Sequence, residues 1–269
     1  MAYVIEDSIF NTEIGALYLR ISRIALAELD SNSNMSVMSW PFTRCYLIQS
    51  GHGYIHTHDK TIEMKAGNIY ILPSGLPCGY SGDGKLFKMW IHFTFGKHDT
   101  PDIFNKLRSV VVLEEKQAFI DEIISLYKKK ELLETIKIKT MIYAIAAEAL
   151  EKSALNKSDF PEYSELIRQA VRYIEKNRKF TFRAENLADL LGVKTLNIQR
   201  QFKKEVGVAL GHYITDRVMV SAATELKNSS KSIKEISDEL EFPDQFYFSS
   251  AFQRHYGIRP SDYRKDCMV

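Results

Sequence analysis

The sequence predicts an α+β protein of two domains: a β-barrel or sandwich with a helical segment, followed by an all-α domain. Its 269 residues suit about two domains. Short apolar runs separated by turn residues fill about the first 100 residues, as is typical of barrels and sandwiches. Apolar residues then recur at helical spacing, and a pair of short helices joined by a turn occurs twice, near residues 185–207 and 233–257.

The composition is that of an ordinary soluble protein, with 45% apolar and 26% charged residues. No stretch reaches about 18 uninterrupted apolar residues, so we expect no transmembrane helix. The first residues lack the basic-then-apolar order of a signal peptide. Three scattered cysteines, Cys45, Cys78 and Cys267, form no CxxC pair, which favours a reducing compartment. These observations predict a cytoplasmic protein without a membrane partner.

Strands account for the first part of the chain. Six runs carry β-forming residues between turn signals: residues 17–26, 45–49, 54–58, 61–65, 69–73 and 86–95. The turns include Ser50-Gly-His-Gly, Asp59-Lys60 and Ala66-Gly67-Asn68. Short strands at this spacing predict a β-barrel or a sandwich.

A helical segment follows, from about residue 101 to 155, and completes a first domain of residues 1–155. Its apolar residues share one helical face: Phe119, Ile123, Leu126 and Tyr127, then Ile138, Met141, Ile142, Ile145 and Leu150. This stripe, within residues 116–152, could pair across a two-fold axis or cover the barrel. A polar linker over residues 152–161 leads to a second domain of residues 161–269.

The first helix pair begins with an amphipathic helix over residues 185–191 and turns at Gly192-Val193. Its second helix, residues 195–206, ends at Gly207. This is the helix-turn-helix plan, in which the second helix enters the major groove of DNA.

The second helix pair repeats this pattern, with helices over residues 233–240 and 244–256 and a closing glycine, Gly257. Asp244 is placed to cap the second of these helices, because its side chain can accept from free backbone N–H groups. Two such motifs could read two successive groove faces, roughly 34 Å apart along the duplex.

The second helix of each pair divides into a core face and a free face. The core faces repeat at i, i+4 and i+8: Ile198, Phe202 and Val206, and Phe248, Phe252 and Tyr256. The free faces supply the candidate DNA contacts: Leu196, Gln199, Arg200, Lys203 and Lys204 in the first, and Gln245, Phe246, Ser249, Ser250 and Arg254 in the second.

Each candidate contact suits a different part of DNA. Arginine donates two hydrogen bonds to a guanine edge and glutamine pairs with adenine, so Arg200 and Gln199 are candidate base readers. Phe246 can pack on a thymine methyl group. Lys203, Lys204 and Arg254 are better placed as phosphate contacts, which fix register without reading sequence.

The distribution of charge along the chain also favours DNA binding by the second domain. Residues 161–269 hold 18 Lys/Arg and 15 Asp/Glu, a net charge of 18 − 15 = +3, whereas residues 1–160 hold 18 and 19, or −1. A basic second domain is what phosphate binding requires, although the excess is small.

The second domain resembles the DNA-binding domain of the AraC family of bacterial transcription regulators. The first motif matches at Leu187-Ala188, Leu191-Gly192, Arg200, Phe202-Lys203-Lys204 and Gly207. The second matches at Ile236, Phe242, Asp244, Tyr247-Phe248-Ser249, Phe252, Gly257, Pro260 and Tyr263-Arg264. Three positions depart from the family pattern: Lys194, where a small or hydroxyl residue is usual; Glu241, in place of a turn glycine; and Ser250, where arginine is frequent.

The resemblance implies that the first domain is a cupin-like barrel that binds a small effector, often a sugar. Tyr80, Lys88 and Trp90 fall on sugar-contact positions of the arabinose-responsive member, which makes them the candidate effector site. It also implies a homodimer, and it favours the helices within residues 116–152 as the dimerisation segment. It further implies binding to double-stranded promoter DNA and activation of a sugar-use operon through RNA polymerase. No cofactor is implied.

Two alternatives remain open on the sequence. One is a cupin-type metalloenzyme fused to a DNA-binding module, since His56, His58 and Glu63 could mimic a metal site. Against it, Cys78 stands where the later barrel histidine is expected, and no nucleophile, acid–base pair or phosphate loop has convincing spacing. We therefore predict no catalytic residues and no metal. The other alternative is a regulator controlled by a partner protein.

Overall fold

The computed structural model describes residues 17–97, 100–153, 163–256 and 258–268. The chain divides into two compact units, Met1–Glu162 and Tyr163–Val269. The first is rich in strands and the second is helical, so the protein is of the mixed α+β class. No helix in the described ranges is long and apolar enough to span a membrane.

The first unit contains two antiparallel sheets. The five-stranded sheet has the order β1-β8-β3-β6-β9, with β1 Leu17–Leu29, β3 Thr43–Ser50, β6 Ile69–Leu72, β8 Leu86–Lys97 and β9 Val111–Leu113. The four-stranded sheet has the order β2-β7-β4-β5, with β2 Asn34–Met38, β4 His52–His56, β5 Thr61–Lys65 and β7 Cys78–Gly82.

A tight connection at Gly51 carries the chain from β3 in one sheet to β4 in the other. Gly51 has a φ of 78°, and a Cβ atom there would lie 1.9 Å from the Lys85 carbonyl oxygen. Only glycine fits this close approach in the left-handed region.

The five-stranded sheet buries both of its faces. One face packs against the second sheet, through a core that includes Tyr46, Ile48, Ile55, Met64 and Leu86. The other face packs against two helices, α1 Gln117–Lys129 and α2 Leu132–Lys152. Positions of alternate parity along β3 and β8 therefore serve different cores.

The helical stripe predicted within residues 116–152 covers the sheet. Ile123, Leu126, Ile138, Ile142 and Ile145 are buried in the same core as the outer face of the five-stranded sheet. The stripe therefore has the covering role, and pairing across a two-fold axis by residues 116–152 stays a prediction. A separate set of apolar residues on α2, Leu132, Leu133 and Ile136, is exposed.

The expected start of the helical segment near residue 101 is wrong. The chain there forms a short 3-10 helix, Ile103–Lys106, and then β9, which pairs with β6. Asp102 accepts hydrogen bonds from Phe104 N and from the backbone and hydroxyl of Thr43, and this holds the segment against the sheet. The helices begin only at Gln117.

The second unit consists of seven helices over the residues described: α3 Glu165–Lys176, α4 Ala184–Leu191, α5 Thr195–Val206, α6 Leu210–Asn228, α7 Ile233–Glu239, α8 Gln245–Tyr256 and α9 Pro260–Met268. The long helix α6 contributes to two cores. Its start packs with α3, α4 and α5, and its later turns pack with α7 and α8. It therefore connects two similar helix pairs.

Candidate DNA-binding surface and effector site

The first helix pair, α4 and α5, is joined by a turn at Gly192. This residue ends α4 with a φ of 65°, and Val193 N donates to the Ala188 carbonyl 3.0 Å away. The left-handed conformation suits glycine, which explains its place at the end of α4. Gly207 ends α5 in the same way, with a φ of 79°.

Helix α5 has the two faces that its sequence predicts. Ile198, Phe202 and Val206 are buried, which confirms the core stripe. Opposite it, Leu196 is 64% exposed. Arg200, Lys203 and Lys204 are exposed, and Gln199 is half-buried. Within the described part of the chain no carboxylate pairs with the three cations, so they are free to meet an anionic partner.

The second helix pair, α7 and α8, has well-defined helix starts. Ser232 and Glu235 cap α7 reciprocally: Ser232 Oγ accepts from Glu235 N, and Glu235 Oε2 accepts from Ser232 N. Asp244 Oδ1 accepts from Phe246 N at 2.8 Å and Tyr247 N at 2.7 Å, which confirms the predicted cap of α8.

The free face of α8 is less basic than that of α5. Phe248, Phe252 and Tyr256 are buried as predicted. Phe246 is 75% exposed, and Ser250 and Arg254 are exposed, whereas Gln245 and Ser249 are half-buried. The Ser249 hydroxyl donates to the Gln245 carbonyl at 2.7 Å, so it is engaged within its own helix. Gly257 lies outside the described residues.

The loop before α4 ties the two helix pairs together. Phe180 N donates to the Leu240 carbonyl, and the Phe180 ring stacks on Phe242 with centroids 4.4 Å apart. The Arg183 guanidinium lies 4.5 Å from the centre of the Phe180 ring. The turn of the second pair is therefore anchored beside the start of the first.

A buried ionic network, which sequence reasoning missed, links α3, α6 and α8. Arg217 Nε lies 2.7 Å from Glu175 Oε1, and His255 Nε2 lies 3.4 Å from Asp216 Oδ1. Asp216 and Arg217 are both nearly inaccessible. Adjacent charges in the middle of an apolar helix are the sequence signal that could have identified this network, because buried charges occur mainly in pairs.

The candidate effector residues belong to the core between the two sheets. Lys88 and Trp90 lie two residues apart on β8, and Tyr80 of β7 contacts Lys88. The Lys88 ammonium lies 3.9 Å from the centre of the Tyr80 ring and 3.8 Å from that of Tyr46. Burial first, and then the charge of Arg44, lower the pKa of Lys88 to about 7.

Sequence reasoning missed Arg44 and Tyr46, which belong to the same face. In the β3–β8 register Tyr46 lies opposite Trp90, and Ile48 lies opposite Lys88. An arginine at period two from a tyrosine, directly before the apolar run of residues 45–48, was the available signal. The histidine hairpin lies elsewhere: His56 contacts the hydroxyls of Thr61 and Ser81. Among the described residues no group of three His, Cys, Asp or Glu side chains could hold a metal ion.

Comparison with known proteins identifies the class of the second unit. Residues 187–266 match the family model described as a helix-turn-helix domain. Over 98 residues the chain is 31% identical to the multiple antibiotic resistance protein MarA of Escherichia coli K12, covering 36% of this chain and 77% of MarA. The second unit is therefore a DNA-binding unit of the helix-turn-helix class. The chain belongs to the AraC family of transcription regulators.

Two further relatives span both units. The raffinose operon transcriptional regulatory protein RafR of Pediococcus pentosaceus is 26% identical over 234 residues, which cover 82% of this chain and 83% of RafR. The lactose operon transcription activator of Staphylococcus xylosus is 25% identical over 239 residues, covering 81% and 82%. The crystal structure of ToxT from Vibrio cholerae O395 shares the fold, with a TM-score of 0.59, 12% identity, and coverage of 93% of this chain and 97% of ToxT.

Proposed function

We propose that this transcription regulator binds promoter DNA through both helix pairs, with α5 and α8 as recognition helices in successive major-groove faces. The observation that carries the proposal is the free face of α5. It presents three exposed cations, Arg200, Lys203 and Lys204, directly opposite a buried apolar stripe. Cations so placed can contact bases and phosphates while the helix stays anchored in its core.

The two recognition helices make different kinds of contact with DNA. On α5, Arg200 and Gln199 read base edges, Leu196 packs on the groove floor, and Lys203 and Lys204 contact phosphates. On α8, the reading is mainly apolar, since Phe246 is the most exposed side chain at its start and suits a thymine methyl group. Gln245, Ser249 and Ser250 flank it, and Arg254 contacts phosphate.

We assign the first domain, residues 1–155, to effector sensing and the second, residues 161–269, to DNA binding. The two sheets form a cupin-like sensor, and its effector is of the sugar class. Two relatives that match over both units are named for the raffinose and lactose operons, which supports a carbohydrate signal. Tyr80, Lys88 and Trp90 form the effector site, with aromatic rings and a polar group on one buried face.

The protein acts as a homodimer and as an activator that recruits RNA polymerase. Exposed Leu132, Leu133 and Ile136 on α2 supply an apolar surface for pairing. The lactose operon relative is an activator by name, which supports the same direction here. The effector regulates by binding two arrangements of the dimer with unequal affinity, because only differential binding shifts an equilibrium.

Selection of bound duplexes from a random DNA pool tests the proposed function. The selection is run with and without a library of sugars. We expect the full chain to enrich a defined sequence. We also expect at least one sugar to alter the affinity of the chain for that sequence, or its activation of transcription from it. Arg108→Ala, which removes an exposed arginine of the first unit, is the control and should enrich the same sequence. Failure to enrich any sequence, with and without sugars, would contradict the proposal.

A further inference from the structure

Two buried cations share the inner face of the five-stranded sheet. Arg44 on β3 and Lys88 on β8 are each 2% exposed. Arg44 lies two residues before Tyr46 on β3, and Lys88 lies two residues before Trp90 on β8, so these side chains share one face of the sheet. Neither residue contributes to the apolar core on the opposite face, which contacts α1 and α2.

Lys88 is surrounded by aromatic rings and not by acids. Its ammonium contacts the faces of Tyr46 and Tyr80, whose rings stand perpendicular with centroids 6.0 Å apart. On the β1 side, its cross-strand neighbour is Ala27, and that of Trp90 is Ala25. Over the residues described, no carboxylate pairs with Lys88.

Arg44 is only partly satisfied. Its Nη2 donates to the Cys78 carbonyl at 3.1 Å, its Nη1 lies 4.0 Å from Met35 Sδ, and the guanidinium also interacts with the Tyr46 hydroxyl. Its Nε is buried without a hydrogen-bond partner, and within the described ranges no carboxylate pairs with the guanidinium. Arg44 also repels Lys88, since its charge contributes to the lowered pKa of that lysine.

Burying Arg44 and Lys88 on one face lowers the stability of the folded chain when no anion compensates their charges. A buried charge normally has a partner of opposite sign, and two buried like charges destabilise each other. Contacts with aromatic faces offset part of the desolvation cost of the Lys88 ammonium. They do not supply a hydrogen-bond acceptor for the Arg44 Nε. An oxyanion between the sheets would neutralise both cations, and a planar carboxylate or a phosphate matches the donor geometry of arginine.

We propose that Arg44 and Lys88 bind an oxyanion, and that the effector is therefore an anionic sugar that carries a phosphate or a carboxylate. Trp90 and Tyr80 would contact its ring. This inference rests on the proposed sensing function and narrows its substrate class. Neutral sugars would leave both cations uncompensated and would bind more weakly.

The test is thermal unfolding of the full chain with matched sugars. The probes are glucose and galactose, their 6-phosphates, their uronic acids, and inorganic phosphate at constant ionic strength. We expect at least one anionic sugar to raise the melting temperature at concentrations where its neutral parent does not. Comparison of the sugar phosphates with the uronic acids shows which oxyanion is bound. Inorganic phosphate tests whether the site binds an anion that carries no sugar.

Substitutions of Lys88, with one control variant, locate the site. Lys88→Met keeps an unbranched side chain of nearly the same length and removes the charge, and it should weaken anionic-sugar binding at least tenfold. Lys88→Gln is the second variant should the first fold poorly. Lys85→Met removes an exposed lysine (89% exposed) from the turn before β8 and should bind as the wild type does.

The outcomes separate the two proposals. Neutral sugars that stabilise as well as the anionic ones, or anionic binding that survives in Lys88→Met, would overturn the anion site and leave sugar sensing intact. No stabilisation by any probe, in a preparation that still binds its selected DNA, would overturn both the anion site and the sugar effector. DNA binding would stand in either case.

Discussion

At the residue scale, Arg200 and Lys203 lie three positions apart on the free face of α5, and the proposed function assigns them to different parts of DNA. Arg200→Ala removes a bidentate base contact and should cost about 1–3 kcal/mol, with relaxed preference at one base position. Lys203→Ala removes a phosphate contact, so it should weaken binding to all sequences and reduce the salt slope by about 1.

Titration of the selected duplex and its single-base variants, at several salt concentrations, distinguishes these effects. The Arg108→Ala variant supplies the control for a lost surface arginine. Unchanged binding of the selected duplex by Arg200→Ala would contradict the assignment of α5.

Lys88 makes stability depend on pH. Its folded-state pKa is lowered to about 7, first by burial and then by Arg44, whereas an unfolded lysine keeps a pKa of about 10.4. Between these values the unfolded chain binds a proton that the folded chain has released. Stability therefore rises with pH across this window, by at most about 1.4 kcal/mol per pH unit.

Lys88→Met removes that contribution. Urea unfolding of both proteins from about pH 7 to pH 10 should show the wild type gaining stability relative to the variant as pH rises. Because every other titrating group is common to the two proteins, their difference isolates Lys88. Parallel stability curves would show that Lys88 titrates normally.

At the element scale, the turn between α7 and α8 has Glu241 where the AraC family usually has glycine, and this places a residue with a side chain in a strained backbone conformation. Glu241 has a φ of 59°, in the left-handed region, and contacts Thr181 and Lys179 through its carboxylate. Glu241→Gly and Glu241→Ala both remove these contacts, but only glycine adopts this backbone freely.

We therefore expect the glycine variant to be more stable than the alanine variant by about 1 kcal/mol. Chemical denaturation of the two variants under identical conditions measures this difference. An alanine variant of equal or greater stability would mean that the left-handed turn is not retained.

The sequence predicts the elements that carry a clear apolar pattern or cap and misses those that do not. The buried stripe of α5 and the cap of α8 follow from spacing and side-chain chemistry alone, and the fold confirms both. Strands β2, β7 and β9 were not predicted, because β2 has a single β-branched residue, β7 contains two glycines and β9 has only three residues. Pairing with distant strands, which no local pattern encodes, determines their conformation.

The face that we propose to bind the effector illustrates the same limit. Lys88 and Trp90 are two residues apart, so their shared face follows from strand periodicity. Arg44 joins them only because β3 pairs with β8, 44 positions away, in a register that brings Tyr46 opposite Trp90. The positive character of the site therefore emerges from the tertiary structure.

At the scale of the whole molecule, the exposed apolar residues of α2 are the surface that we assign to dimerisation. The double variant Leu133→Lys, Ile136→Lys should sediment as a monomer, because lysines on a shared two-fold surface repel and lose apolar contact. Since both side chains are exposed in a single chain, its fold should persist.

Loss of the dimer should also weaken binding to a two-half-site duplex by about 100-fold, through lost effective concentration. Sedimentation velocity and DNA titration measure the two effects. Val37→Lys, on exposed β2, is the control. A double variant that sediments as the wild type does would place the dimer interface elsewhere.

Footprinting of the selected duplex, with the chain bound, tests the central claim that both helix pairs read DNA. We predict that each half-site contains two protected segments, about one helical turn (10–10.5 base pairs) apart. We also predict that Phe246→Ala abolishes protection of one segment and that Arg200→Ala abolishes protection of the other. A single protected segment per half-site, lost in Arg200→Ala and unchanged in Phe246→Ala, would contradict the claim and leave α5 as the one reading helix.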